Sequence, residues 1–398
     1  MSNLWRAVLI GSLTISMTSC GWLGCRKKAI DYSKQLPAGQ LALVKLTDPK
    51  DYPDFGSGFR NREGLTQSID NSLEYFRHPS SKKHYPYLDI SHERAVKTLE
   101  VFKDVLNQAK DPSDLHRLIC ERFDVYMSRG CDDKGAVLFT GYCTPIFKGS
   151  LTRSPDYQYP LYTRPPDLVT KEDDGTPLGR RTPGGELVPY YTRREIETQQ
   201  LLAGKGLELV WLRSPLEVHI IHIQGSAILQ LPDGKDYKVG YAGKTDRPYT
   251  SVGLSLVQDG KIKRDELSLQ RMIEYFGQHP HEMTTYICKN DSYVFFAEYD
   301  AGIRGSLGTP VIRHRTVATD HSVFPRGLIA YAVTTAPVMK TKDQVALEPF
   351  YSFACDQDTG GAIRSAGRCD IYMGVGPEAL LLAGRTRSEG KLYYLAIK

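Results

Sequence analysis

The sequence predicts a mainly β protein with a few helices set around it. Three observations carry that reading. From Val137 onward, short apolar runs alternate with breaks rich in Gly and Pro, the texture of successive strands. Asp233-Gly234 stands between two such runs, a strong hairpin signal. Helical periodicity is confined to a few stretches, chiefly 91–126 and 264–280. With 398 residues, 41% of them apolar and 24% charged, the chain can hold two domains with buried cores.

The chain opens on "MSNLWR", which carries Arg6, and then "AVLIGSLTISM" (7–17), an eleven-residue apolar core. That length suits a secretory signal and is too short to span a bilayer. "TSC" follows and resembles a bacterial lipoprotein signal, in which Cys20 would be acylated after removal of residues 1–19. Gly21 and Trp22 come next, with no aspartate to hold the product at an inner membrane. The expectation is an exported lipoprotein, anchored to the membrane by its lipid on the periplasmic face of an outer membrane. A plain cleaved signal peptide is the alternative. Polar residues up to 40 then read as a tether over 20–40.

Between 91 and 126, Ala95, Leu99, Phe102 and Leu106 recur on one helical face, and "DPSDLHRLICERF" starts a second helix with Ser113 as its expected N-cap. The proline-rich stretch 150–186 reads as loops and edge strands. "TRREIETQQLLA" (192–203) reads as a short helix stopped by Gly204, and 207–243 as successive strands around the Asp233-Gly234 turn. "RDELSLQRMIEYFGQHP" (264–280) is a helix with Leu269, Met272, Ile273 and Phe276 facing inward, and strands and turns fill the rest.

Composition limits the partners. A net charge of +5, with no run of five basic residues, is too mild for a dedicated nucleic-acid binder. It suits an anionic partner, or simply a solvated mixed surface. The eight cysteines contain no C-x-x-C pair, which leaves zinc and thioredoxin-like readings weak. In an oxidising compartment Cys355 and Cys369 are candidates for a bridge stapling the segment between them, with buried free thiols as the alternative.

That segment, "ACDQDTGGAIRSAGRCDIYMG" (354–374), contains an Asp-Thr-Gly triplet. Aspartic proteases need two such turns sharing a proton, and the chain has one. As structure, Gly360-Gly361 would permit positive φ while Asp358 bonds the amides of a tight turn. His219 and His222, three apart in an expected strand, would point to opposite faces and could not share a metal. "HPHEM" is not H-E-x-x-H, "QGS" is not G-x-S-x-G, and no phosphate-binding glycine loop appears. No metal or cofactor is expected. What remains is carboxylate chemistry among 24 tyrosines, whose rings could pack on sugars or simply populate strands.

Several segments together resemble the membrane-bound lytic murein transglycosylase A family. They are "LFTGYCTP" (138–145), "YPLYTRPP" (159–166), "IQGSAILQLPDGKDYKVGYAGKTDRPYTSVG" (223–253), "LSLQRMIEYFGQHP", "SYVFF", "TVATDHSVFPRG" (316–327) and "DTGGAIRSAGRCDIYMGVGPEA" (358–379). The resemblance implies a double-psi β-barrel interrupted by a smaller β-rich domain, with peptidoglycan glycan strands bound in the groove between them. It places the first part of the barrel at 41–145, the inserted domain at 146–300 and the second part, with its three aspartates, at 301–398. Those aspartates fall on Asp320, Asp358 and Asp370, and the D-I-Y element makes Asp370 the catalytic acid and base. Thr144, Gln224, Gly225, Ser226, Tyr241, Ala242 and Gly243 are expected to line the groove. Cys143 stands where the family usually has an aromatic, and Arg364 where lysine is common.

One carboxylate suffices if the substrate supplies its own nucleophile. A hydrolytic glycosidase needs two carboxyl groups. A lytic transglycosylase lets the muramoyl C6 hydroxyl attack C1, giving 1,6-anhydro ends. Asp370 would protonate the glycosidic oxygen and then accept the hydroxyl proton. To hold its own proton near neutrality it needs burial or a negative neighbour, which Asp358 and Asp320 could supply, unless they orient the loop instead. Two other readings remain: a hydrolase using a second carboxylate, and a non-catalytic wall-binding or wall-loosening barrel.

Overall fold

Continuous apolar runs dominate the C-terminal strands: "IAYA" in Ile329–Thr341, "SFAC" in Gln344–Asp358 and "YYLA" in Arg387–Ile397 are buried throughout. A strand buried on both faces needs a layer on each side, and a closed barrel wrapped by helices provides it. The protein is described from a computed structural model that covers residues 30–172, 175–300, 302–341 and 344–398. Strand Arg387–Ile397 pairs with Ile329–Thr341, which pairs with Gln344–Asp358, and this with Thr316–Ala318. Arg368–Val375 and Val137–Thr144 follow, and the last returns to Arg387–Ile397, closing a six-stranded ring. Two of these pairings are parallel: Thr316–Ala318 with Gln344–Asp358, and Arg368–Val375 with Val137–Thr144. Phe123–Ser128 and then Leu43–Lys45 extend the sheet from the far half of Arg387–Ile397.

Helices Leu65–Arg77, His92–Gln108 and Gly376–Arg385 pack on the barrel. Ala95, Leu99, Phe102 and Leu106 are all buried, as their spacing predicts. The second helix, Pro112–Arg122, is capped by Asp111, whose side chain accepts from the amide of Asp114; Ser113 lies inside the first turn, and Pro112 takes the position that suits it. Helical structure then stops at Arg122, and Phe123–Ser128 is a strand.

The chain leaves the barrel after Thr144. Ile146–Lys148, Ser226–Gln230, Asp236–Lys244 and Val294–Glu298 build a separate four-stranded sheet, with the expected hairpin turning at Gly234 (φ 84°). Smaller ribbons pair Tyr159–Tyr162 with Glu208–Leu212, and Leu168–Thr170 with Pro177–Arg181 and Leu187–Val188. These elements hold apolar cores of their own, apart from the barrel's. Helix Arg193–Thr198 ends well before Gly204, and helix Leu269–Gln278 starts only after its cap, Ser268.

The stretch expected as continuous strand over 207–243 contains a helix, Pro215–Gln224. Ser214 caps it, Pro215 fills the first turn and Glu217 closes a capping box. That S-x-x-E pattern is in the sequence, beside the β-branched run "VHIIHI" that reads as strand. His219 and His222 therefore share a helical face and are both buried. Burial, with the nearby Arg193 charge, pushes His219 down to about 3. Its unfolded value lies near 6.5, so between these limits the unfolded chain binds a proton that the native chain refuses. Stability should fall as pH drops from about 6.5 toward 3, by about 1.4 kcal/mol per pH unit for this group. His219→Leu is expected to flatten that slope in thermal melts at stepped pH.

Cys355 and Cys369 are both free thiols, so the expected bridge between them does not form. Both side chains point into the packed barrel, and burial raises both thiols. Cys20 lies outside the described residues. Within the stretch 20–40, Tyr32 donates to Glu389 at 2.7 Å and the Lys34 carbonyl accepts from Ser365 Oγ at 2.6 Å.

Candidate active site

Strand alternation builds the site. In Arg368–Val375, Cys369, Ile371 and Met373 are fully buried and face the core. Arg368, Asp370 and Tyr372 occupy the opposite face, since successive side chains alternate. The parallel neighbour sets Thr140 opposite Asp370 and Tyr142 opposite Tyr372. On the other flank, Ala318 pairs with both Asp370 and Asp358. The two carboxylates thus stand on one rung of the barrel with a single strand between them, their backbones about 10 Å apart at ordinary strand spacing.

Their surroundings differ. Asp358 Oδ1 accepts from the amides of Ser306 (2.9 Å) and Thr359 (2.8 Å), and Oδ2 from the Tyr142 hydroxyl (2.9 Å). Burial pushes the Asp358 carboxyl up, and these three donors pull against it. Tyr142 is held far above the ordinary phenol range by burial and by Asp358, so it stays a neutral donor. Asp320 Oδ1 takes the amide and hydroxyl of Ser322 (3.1 and 2.6 Å), and Oδ2 takes the Ser365 amide at 2.7 Å. It pins the loop that joins Asp358 to Asp370. The left-handed residue of that loop is Ser365 (φ 65°), not Gly360 or Gly361, whose φ values are not positive.

Asp370 is the exception. Its Oδ1 accepts from Thr140 Oγ1 and, at 3.3 Å, from Arg368, which also donates to Thr140 Oγ1 at 2.9 Å. Among the described residues nothing bonds its Oδ2. The side chain is 17% exposed, and the charge that contacts it is a cation. Neither Asp358 nor Asp320 touches it, which favours the orienting role for those two. From the inserted elements, the Tyr249 hydroxyl lies near enough to feel the charges of both Arg368 and Asp370.

The expected groove residues divide into two groups. Thr144 is fully buried and bonds Ser226 Oγ (3.2 Å) and the Tyr372 hydroxyl (2.8 Å). Gln224 Oε1 accepts the amide of Cys143 at 2.8 Å. These contacts fasten the inserted sheet to the barrel beside Asp370. Gly225, left-handed at φ 77°, ends the helix with open space where a Cβ would sit. Tyr241 is 47% exposed, and Ala242 lies at the bulge between it and Gly243, where Arg164 crowds the backbone.

Sequence reasoning missed Thr140, Tyr142 and Arg368. The alternation in "RCDIYMG" and "LFTGYCT" was the available signal. It also missed buried Asp356, which accepts from Thr319 and Tyr394 (both 2.6 Å) and faces His321 at 3.1 Å. Thr140→Val removes the hydroxyl that orients Asp370, and should lower kcat about tenfold with little change in Tm, read from product release and thermal melts.

A model of the MltA specific insert domain matches residues 138–297, and one of the 3D domain matches 315–396. The chain is 30% identical over 399 residues to the membrane-bound lytic murein transglycosylase A of Vibrio cholerae serotype O1, covering 96% of this chain and 94% of the relative. This chain belongs to the membrane-bound lytic murein transglycosylase A family. The Escherichia coli K12 member is 28% identical over 275 residues, 68% of this chain and 69% of its own. A crystal structure of membrane-bound lytic murein transglycosylase from Agrobacterium tumefaciens superposes with a TM-score of 0.73 at 27% identity, over 89% of this chain and 98% of that one. E. coli MltA with bound chitohexaose shares the fold with a TM-score of 0.66 at 24% identity, over 92% and 97%. The closed barrel is the MltA double-psi barrel that the sequence resemblance implied.

Proposed function

We propose that this MltA-family chain is a peptidoglycan lytic transglycosylase with Asp370 as its single acid and base. One observation carries the choice of residue. Every carboxylate oxygen of Asp358, Asp320 and Asp356 accepts at least one hydrogen bond, whereas Asp370 Oδ2 accepts none from the described residues. A group that moves protons needs a free oxygen, and a saturated carboxylate is a poor base for water. That distribution favours the one-carboxylate reaction over a hydrolase with a second carboxylate.

Asp370, protonated on Oδ2, gives its proton to the glycosidic oxygen of the MurNAc–GlcNAc β-1,4 bond. The C1–O4 bond breaks and leaves the GlcNAc C4 hydroxyl. Asp370, now a carboxylate beside Arg368, takes the proton of the muramoyl C6 hydroxyl as that oxygen bonds C1. Thr140 and Arg368 hold Oδ1 so that Oδ2 faces the bond. Asp358 and Asp320 shape the loop. Thr144, Gln224 and Ser226 set the width of the groove, while Gly225, Tyr241, Ala242 and Gly243 form the wall that meets the sugars. The proposal includes the barrel in two parts (41–145 and 301–398) with the 146–300 domain inserted, and no cofactor. It also includes acylation of Cys20 and an outer-membrane anchor facing the periplasm.

Mass spectrometry of murein digested by the full chain tests the reaction. Products ending in 1,6-anhydromuramic acid are expected. Reducing MurNAc ends would make it a hydrolase, and intact sacculi would leave a wall-binding barrel.

A further inference from the structure

The loop that joins the two aspartates carries an unpaired charge of its own. Arg364 is exposed on it, four residues before Arg368. Across the groove, strand Asp236–Lys244 ends with Lys244, whose backbone is fixed by pairing with Val294 and by the Thr245 amide on the Tyr293 carbonyl (2.9 Å). Its ammonium reaches the barrel loop: a Cβ on Gly361 would sit 3.9 Å from Lys244 Nζ. Two cations thus meet where the inserted sheet faces the loop between Asp358 and Asp370. Among the described residues neither makes an ion pair. Asp246 is the acid that acts on Lys244, from too far to pair, and its Oδ1 already accepts the amide of Tyr190 at 2.8 Å. Burial and Arg364 both push the Lys244 ammonium down, so the fold holds this charge at a cost. Like charges brought together without an anion are the arrangement that an incoming anion relieves.

Resting on the reading of this chain as a murein-cleaving enzyme, we propose that Lys244 and Arg364 form a subsite for the carboxylate carried on the lactyl arm of the muramoyl unit. A murein glycan is otherwise neutral, so its acidic groups are confined to that arm. They are the lactyl carboxylate itself on a stripped strand, or the free carboxylates of a stem peptide amide-linked to it. Either would stand between the inserted sheet and the loop, and would orient the muramoyl ring relative to Asp370. The enzyme then distinguishes muramoyl strands from uncharged N-acetylglucosamine polymers by charge as well as by shape.

Binding separates this proposal from the chemistry. In a full-length Asp370→Asn background, which blocks turnover, three probes of equal sugar count are titrated: peptide-bearing glycan, amidase-stripped glycan and chitohexaose. Lys244→Met and Arg364→Gln are each expected to weaken the acidic probes about tenfold. Chitohexaose should shift by less than about twofold. Loss on the stripped probe alone assigns the free lactyl carboxylate, loss on the peptide-bearing probe alone assigns the stem peptide, and loss on both assigns a subsite that takes either carboxylate of that arm. Arg364→Lys, which keeps the charge, should restore binding. Equal affinities for variant and parent, or an equal loss on chitohexaose, would overturn the subsite. Arg364 lies on the surface, so its variant stays informative if Lys244→Met misfolds. Release of anhydro products by the unmutated enzyme, measured separately, tests the underlying reading independently of these affinities.

Discussion

Asp370→Asn is expected to lower kcat by about a thousandfold while leaving the barrel intact, in line with the loss of a positioned general acid and base. The amide keeps the shape of the carboxylate and still accepts from Thr140, so circular dichroism and the thermal midpoint should match the parent. Its amide can neither deliver a proton to the glycosidic oxygen nor take one from the C6 hydroxyl, so both halves of the reaction fail together. Release of anhydromuropeptides from sacculi is the measurement, and clearance at the parent rate would remove Asp370 from its role. Asp358→Asn should behave differently. It keeps the volume but weakens three hydrogen bonds, so part of its effect should appear as lost stability.

Arg193→Met should cost about 3–5 kcal/mol, the range for removing one partner of a buried ion pair. Arg193 is fully buried and joins three pieces of the inserted sheet's surroundings. It donates to Glu197 (2.8 Å), to His222 Nδ1 (2.9 Å), and to the carbonyls of Asn290 (3.1 Å) and Ser292 (2.8 Å), with its guanidinium over the Tyr293 ring. Methionine fills much of the volume and satisfies none of those acceptors. Chemical denaturation should show the loss. Activity should fall too, because His222 shares its helix with Gln224, which holds the Cys143 amide at the edge of the barrel. A variant as stable as the parent would show the network to be dispensable.

Much of this was legible in the sequence, for identifiable reasons. The helix over 92–108 follows from the spacing of its apolar residues, and the hairpin at Gly234 from its turn chemistry. The helix over 215–224 was hidden because a buried helix is apolar all round, and "VHIIHI" has no polar face to reveal a period. The bridge expected between Cys355 and Cys369 rested on their flanking one segment, and proximity in sequence says nothing of how two thiols point in a barrel. Asp370 was singled out because its D-I-Y setting resembles a known family. Its partners were not, since Thr140 lies 230 residues away and only the parallel register brings it across. The negative neighbours expected beside Asp370 are engaged elsewhere, and the charge that contacts it is Arg368.

That long separation sets the order in which the barrel can close. Val137–Thr144 has no barrel partners until Arg368–Val375 and Arg387–Ile397 have been made and brought back to it. Contacts between ends so far apart form late, because chain entropy must be spent before they repay it. A chain stopped between residues 376 and 386 would carry the inserted sheet and even Asp370, yet the Val137–Thr144 strand would lack its closing partner. Thr140, which bonds Asp370, therefore gains its second flanking strand only when Arg387–Ile397 closes the ring.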